Sequence, residues 1–379
     1  MIDKPFCAWP WFHQLVKTDG AMAPCCIWNG HVDNTNKDTF FHSDFMNELR
    51  DDFSKGIVKH PGCDKCLYSE KARNFSQRQW SFSTAREMGI DFNTPPVLRS
   101  QEVNLSNVCN LKCRMCNQTR STKWITDAVA LGEESVGVMN ANWSLTDDQA
   151  ATTNRLMFLG GEPLMHQDEI CDALRKIELS QGLDNLRFLL TTNVTNKFSD
   201  ELLTLMNKTK SISIHCSIDS VGKLNEYIRS DSKWEDIVEN VQQLVNFRKQ
   251  HSNVRLRVTS VCNVFNIGSF ENLIDWTRKT NIYINAPLLL SFPNFHDVAN
   301  MPPDYKKAQI LRYTNLRSKY PRQLHVIDTI IAHLHKPPTL THGHIEWKKT
   351  FKKHNDILDA RRHTKLQDVN LELYEMINS

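Results

Sequence analysis

Three cysteines share one short stretch, Cys109-Asn110-Leu111-Lys112-Cys113-Arg114-Met115-Cys116. Gaps of three and then two residues gather three thiolates in a single loop, an arrangement that suits a thiophilic metal centre. A structural zinc site closes four ligands, yet no His or further Cys stands near this loop. A four-iron cluster held by three cysteines leaves one iron open to another ligand. A second set lies toward the amino terminus: Cys7, Cys25, Cys26 and the C-x2-C pair in His60-Pro61-Gly62-Cys63-Asp64-Lys65-Cys66. Two distant cysteines plus a tight pair complete four-thiolate coordination, of an iron–sulfur cluster or of zinc.

The elements around these residues must position them. Gln101-Glu102-Val103-Asn104-Leu105-Ser106 alternates as a strand, so the three-cysteine loop leaves its carboxyl end. Thr18-Asp19-Gly20-Ala21-Met22-Ala23-Pro24-Cys25-Cys26 reads as a hairpin turn entering a strand, because Asp-Gly accepts positive φ. On a strand Cys25 and Cys26 point to opposite faces, so one of the two ligates. A helix is expected near Phe45–Phe53. Trp9, Trp11, Phe12 and Trp28 form a core that shields the site. A polar, helical connector runs from about 70 to 96 and stops at Pro95-Pro96.

C-x3-C-x2-C behind a first strand resembles the signature of the radical S-adenosylmethionine (SAM) enzymes, over roughly residues 98–300. The resemblance implies a 4Fe-4S cluster on Cys109, Cys113 and Cys116. Its open iron would be chelated by the amino and carboxylate groups of SAM. An electron from the cluster would cleave SAM to a 5'-deoxyadenosyl radical, which takes hydrogen from a substrate. Met115 stands where the family carries an aromatic residue that contacts adenine partly through its backbone. Gly160-Gly161-Glu162-Pro163, after the apolar strand Arg155–Leu159, resembles the family's GGEP, which meets the SAM amino group. Thr191-Thr192-Asn193 resembles its TTN, with Asn193 either a SAM contact or a turn residue. Ser217-x-Asp219 resembles its S-x-D near the ribose and carboxylate. Arg229, in Tyr227-Ile228-Arg229, resembles an I-R-x whose guanidinium binds a carboxylate. Asn263 or Asn266 takes the place of a further family asparagine.

The amino-terminal cysteines are similar to the SPASM and twitch extensions of these enzymes, although here they precede the core. That likeness implies one auxiliary 4Fe-4S cluster on Cys7, Cys25, Cys63 and Cys66, with Cys26 the substitute for Cys25.

Strands are expected at Leu186–Asn193, Ser211–Asp219, Val254–Val261 and Ile282–Leu290. Helices are expected at Thr119–Leu131, after Ser144, at Asp168–Ser180, from Trp234 and at Phe270–Lys279. Six strand–helix units give an α/β fold, a partial (βα)6 TIM-like barrel with motifs at the strand carboxyl ends. The expected organisation is a small cysteine-rich α+β module and connector at 1–90, the core at 98–300 and a helical extension at 301–379. Ser291–Pro303, with Phe292, Phe295 and His296, is placed to cover a substrate.

The composition is that of an ordinary globular chain: 379 residues, 40% hydrophobic, 23% charged, net charge +3. No apolar run is long enough for a membrane, and Met1–Phe6 is not a signal peptide. Eleven cysteines without secretory features argue for metal or redox chemistry in the cytoplasm, with Cys171 and Cys216 structural thiols. Lys348, Lys349, Lys352, Lys353, Arg361, Arg362 and Lys365 read as a solvated helix face, with nucleic-acid contact the lesser reading. The resemblance implies hydrogen abstraction from a peptide or protein, with flavodoxin or ferredoxin as electron donor. Alternatives are a small molecule such as a sugar or cyclitol, and a non-redox zinc-binding adaptor. No catalytic acid or base is assigned.

Overall fold

The computed structural model describes residues 5–30, 32, 36–71, 75–290, 293–340 and 343–379. Met1–Lys4 of the expected non-secretory start, three residues of the connector (72–74), and Ser291 and Phe292 of the expected covering loop lie outside them.

Strands β1 (His13–Val16) and β2 (Met22–Ala23) pair antiparallel. The chain reverses between them at Gly20, whose φ is 81°, and the Lys17 N–H bonds the Ala21 carbonyl at 2.8 Å. Helices α1 (Asp44–Ser54), α2 (Asp64–Lys71) and α3 (Gln77–Met88) follow. Ser43 caps α1, and Ser76 with Gln79 forms a capping box on α3. The expected helix near Phe45–Phe53 and the helical connector are both present.

The chain continues with β3 (Ser100–Asn104), α4 (Ile125–Ala130), α5 (Asp147–Thr152), β4 (Arg155–Leu159), α6 (Gln167–Gln181), β5 (Arg187–Thr192) and α7 (Asp200–Asn207). Then come β6 (Ser211–Ser217), α8 (Gly222–Ile228), α9 (Trp234–Gln250), β7 (Val254–Thr259), β8 (Val261–Cys262), α10 (Phe270–Lys279), β9 (Tyr283–Ile284) and β10 (Leu288–Leu289). Helices α11 (Pro303–Leu316), α12 (Leu324–Leu334), α13 (Gly343–Arg362) and α14 (Leu371–Asn378) end it. One sheet runs β2-β1-β3-β4-β5-β6-β7-β9, with β1–β3, β3–β4, β4–β5 and β7–β9 parallel. The α/β class and the six helix-separated strands are as expected. Beyond them, β1 extends the sheet, with His13 opposite Ser100.

Four local expectations are corrected. Cys25 and Cys26 lie in a turn, not on a strand, because β2 stops before Pro24, which has no N–H for a ladder. The Val254–Val261 run breaks at Ser260, where the Val261 N–H turns to Asp219 Oδ1 at 2.7 Å. The Ile282–Leu290 run splits around Pro287: its first half pairs with β7, its second with β8. The helix expected at Thr119–Leu131 begins only at Thr122, as a 3-10 turn leading into α4.

Contacts divide the chain into two compact units. The first comprises 1–107, 138–190 and 198–212; its fully buried side chains include Phe12, Phe40, Phe53, Phe158 and Phe188. Trp9, Trp11 and Trp28 are buried there too, as expected. The second comprises 108–137, 191–197 and 213–379, centred on Trp347, Arg114, Tyr313, Tyr320, Phe265 and Phe270. No helix among the described residues is long and apolar enough to cross a membrane.

Candidate metal centre

The three-cysteine loop belongs to the second unit. Two backbone bonds tie it to the end of α8 and the residues just after: Lys112 N–H to the Ser230 carbonyl at 3.1 Å and Arg114 N–H to the Ile228 carbonyl at 2.8 Å. Trp124 Nε1 donates to the Cys113 carbonyl at 2.6 Å. Cys109 is buried, Cys113 and Cys116 half-buried, and all eleven cysteines are free of disulfides. Burial pushes the Cys113 and Cys116 thiols up, and the Arg229 guanidinium opposes that at both.

Donors already point at the sulfurs. The Leu111 N–H reaches Cys109 Sγ at 3.5 Å, Asn193 Nδ2 reaches it at 3.9 Å, and Arg229 Nη1 reaches Cys113 Sγ at 3.9 Å. N–H groups directed at sulfur favour the thiolate over the thiol. A soft three-thiolate donor set with such donors fits an iron–sulfur cluster. Among the described residues no three Cys, His, Asp or Glu side chains already close on a metal ion.

Asn193 is a turn residue, one of the two roles expected of it. Its Oδ1 accepts from the Thr195 N–H and hydroxyl at 3.0 and 2.6 Å, a turn, while its Nδ2 donates to Asn110 Oδ1 at 2.9 Å and toward Cys109. Arg229 Nε pairs with Asp219 Oδ2 at 2.7 Å, both buried. The carboxylate that Arg229 meets here is thus Asp219. Asp219 also accepts from Val261, and its carbonyl accepts from Asn266 Nδ2 at 2.8 Å. Asn263 and Asn266 are fully buried and bond each other and the Val261 carbonyl, so they clasp the turn after β8. Ser217 ends β6, half-buried, and Met115 is half-buried in the loop.

Sequence reasoning missed the residues behind the loop. Arg114, only 1% exposed, donates to the Tyr227 carbonyl (3.0 Å), Asn355 Oδ1 (2.8 Å), Asp359 Oδ1 (2.5 Å) and the Thr364 hydroxyl (2.8 Å). Its guanidinium carbon lies 3.6 Å from the centre of the Tyr227 ring. Arg361 and Arg362 of α13 both bond Asp127, and Arg362 also reaches Ser230 Oγ. The expected solvated face of this helix is therefore corrected at these two arginines: they are structural pairs, not free charges. The missed signal was apolar spacing: Trp347, Phe351 and Leu358 are buried.

The first unit holds the other motifs. Gly160 has φ 76°, and a Cβ there would lie 2.6 Å from Asn104 Cβ, so only glycine fits. Glu162, 1% exposed, accepts the Leu164 N–H at 3.0 Å and caps the turn that Pro163 begins. Gly161 also has positive φ, 50°.

Cys7, Cys25, Cys63 and Cys66 come from four separate positions and act on one another electrostatically. Burial pushes the Cys7 thiol up to about 11, with Cys66 adding to it. Burial pushes Cys63 up to about 12, with Cys7 and Cys66 adding. Cys25 is raised well above its ordinary value by burial, then by Cys7. Cys66 is raised by burial against the Arg78 and Gln77 N–H groups at the start of α3. Cys26 is exposed, and its strongest charged neighbour is Glu102. Cys171, Cys216 and Cys262 are buried core thiols.

Residues 103–256 match the Radical SAM superfamily. An uncharacterised protein of Archaeoglobus fulgidus is 23% identical over 214 residues, 55% of this chain and 45% of that one. Native anSMEcpe with bound AdoMet and Cp18Cys peptide shares 15% identity at a TM-score of 0.41, over 59% of this chain and 61% of that chain. Streptococcus suis SuiB bound to S-adenosylmethionine shares 14% identity at a TM-score of 0.37, over 74% and 60%. The chain thus spans less than half of its sequence relative and about three fifths of these structures. The cysteine loop, Asn193, Asp219 and Arg229 all fall inside the span that matches the Radical SAM superfamily.

Proposed function

We propose that this chain is a radical SAM enzyme acting on a peptide or protein, with an auxiliary cluster in its amino-terminal region. The observation that carries the reading is the loop itself: three thiols on one short segment, with N–H donors aimed at two of the sulfurs. Cys109, Cys113 and Cys116 would hold a 4Fe-4S cluster. A cluster held there would supply the single electron that reductive cleavage of SAM requires, for hydrogen abstraction from an unactivated C–H bond.

The chain's own residues orient and bias this site. Asn193 and Arg229 donate to the sulfurs, which stabilises added negative charge. The Asp219 pair holds Arg229 in place beside Cys113. Gly160, Gly161 and Glu162, with Met115, Asn193, Ser217, Asp219 and Arg229, are the proposed SAM contacts. Cys7, Cys25, Cys63 and Cys66 would hold the second cluster. The peptide substrate rests on the likeness of those four cysteines to the SPASM and twitch pattern. Eleven free thiols suit a reducing cytoplasm and an electron donor such as flavodoxin or ferredoxin.

The test is iron, sulfide and zinc content after anaerobic reconstitution, with low-temperature EPR of the reduced protein. About eight irons per chain and one signal perturbed by SAM are expected, and Cys63→Ser with Cys66→Ser should remove about half of the iron. About four irons plus zinc would make the amino-terminal site structural. Zinc alone, with no 5'-deoxyadenosine formed from SAM, overturns the proposal.

A further inference from the structure

Arg255 and Arg257, which the radical SAM reading leaves without a role, open onto a groove at the amino ends of β7 and β9. It encloses about 960 Å³, and Arg248, Arg255, Arg257, Arg278 and Arg322 line it around Tyr283. That volume is within the range of small-molecule sites, roughly 300–1,000 Å³. The lining has five arginines, no lysine and no carboxylate, in a chain whose net charge is only +3. Among the described residues the side chains of Arg248, Arg255 and Arg322 have no hydrogen bond, ion pair or ring contact. Arg278 meets Asp275 at 3.5 Å, and its guanidinium lies 5.4 Å from the Tyr320 ring centre. Arg257 is the fixed member: Nη1 donates to Asn285 Oδ1 at 3.3 Å, and its guanidinium lies 5.2 Å from the Tyr283 ring centre. The groove is separate from the cysteine loop. Val261, which bonds Asp219, lies six residues beyond Arg255, roughly 20 Å along an extended chain.

We propose that this groove binds a small ligand carrying two or more phosphate groups. Like charges do not gather unpaired in a concave site without cost, and an anion that meets several guanidinium forks at once removes it. Successive phosphates pack their charges into a short length and present them on all sides. An acidic peptide strand sends alternate carboxylates to opposite faces, so half would miss the arginines. Tyr283 is already stacked on His325, with ring centres 5.3 Å apart, and carries Arg257. It therefore offers no open platform of the kind that single-stranded nucleic acid uses.

Calorimetric titration of the full chain with inorganic tripolyphosphate tests this, with an Arg255→Gln/Arg322→Gln variant beside it. Both side chains are exposed and unpartnered, so melting temperature and iron content should be unchanged. Each lost guanidinium should weaken binding on the order of 10-fold, and added salt should weaken it further. Arg248→Gln, on a different element, should weaken it as well. Undetectable binding, or equal affinity in the variants, overturns the proposal. So does tighter binding of a hexaglutamate peptide or a single-stranded oligonucleotide than of tripolyphosphate.

Discussion

The two cysteine groups differ in how their thiols are brought together. Cys109, Cys113 and Cys116 share one loop, so chain connectivity alone keeps them close; the surrounding structure only has to hold the loop in shape. Cys7, Cys25, Cys63 and Cys66 stand on separate stretches, before β1, after β2 and at the start of α2, so only the packing of a unit whose buried side chains include Trp9, Trp28 and Phe53 can bring them together. The first group depends on a clamp behind it, the second on a core around it. Damage to the clamp should therefore strip one site and spare the other.

Arg114 is the sharpest place to break that contrast. Arg114→Ala leaves Asn355 and Asp359 without their guanidinium partner and opens the space beside Tyr227. Removing one member of a buried pair costs about 3–5 kcal/mol. Denaturant unfolding should show a loss of that size, and the reconstituted protein should lose the SAM-perturbed EPR signal while keeping the other. Arg114→Lys keeps the charge but not the fork, and should recover stability only in part. A variant with wild-type stability and both signals would show that the loop holds itself.

Most of the core was legible in the sequence because its signals are local. The Arg155–Leu159 strand and the turn at Gly160 follow from an apolar run and two glycines. The helix start after Ser144 follows from the small polar and acidic residues of its first turn, with Thr146 its cap. The clamp was not legible, because Arg114 and Asp359 lie 245 residues apart, and nothing local marks Asn355 as buried. The turn at Cys25-Cys26 was misread for a different reason. The Asp-Gly turn suggested a strand running on through Pro24, and the missing N–H of proline outweighed it. The parting of the last strand around Pro287 has the same cause.

Each unit also carries a histidine held neutral, and these should set its response to acid. His215 on β6 is lowered to about 4 by burial, then by Arg257. His13 on β1 is lowered well below its ordinary value by burial, then by Arg155. The unfolded chain takes up a proton near pH 6.5, while the folded chain does not. The stability involved is present in full above that pH and is lost as pH falls through the folded value. For His215 the loss is at most about 3 kcal/mol, reached near pH 4. Melting temperatures from pH 7 to 4.5 should fall, and His215→Gln should flatten the fall. A variant curve parallel to the wild type would mean that His215 is not held neutral.

The smallest effect falls on the choice between Cys25 and Cys26. Adjacent cysteines in a turn are not forced to opposite faces, so strand geometry no longer decides which one serves. Their surroundings do. Cys25 is half-buried and responds to Cys7 first among charged groups, whereas Cys26 is exposed and responds first to Glu102. A thiolate beside a carboxylate is disfavoured; a thiolate beside other thiols gains when a cation is shared among them. Cys25→Ser should therefore cost about half of the iron, as the loss of Cys63 and Cys66 does, with the SAM-perturbed signal intact. Cys26→Ser should leave iron content and both signals within error of the wild type. The opposite pattern would move the fourth ligand one residue along and place it next to Glu102. The turn would then have to rearrange on cluster binding.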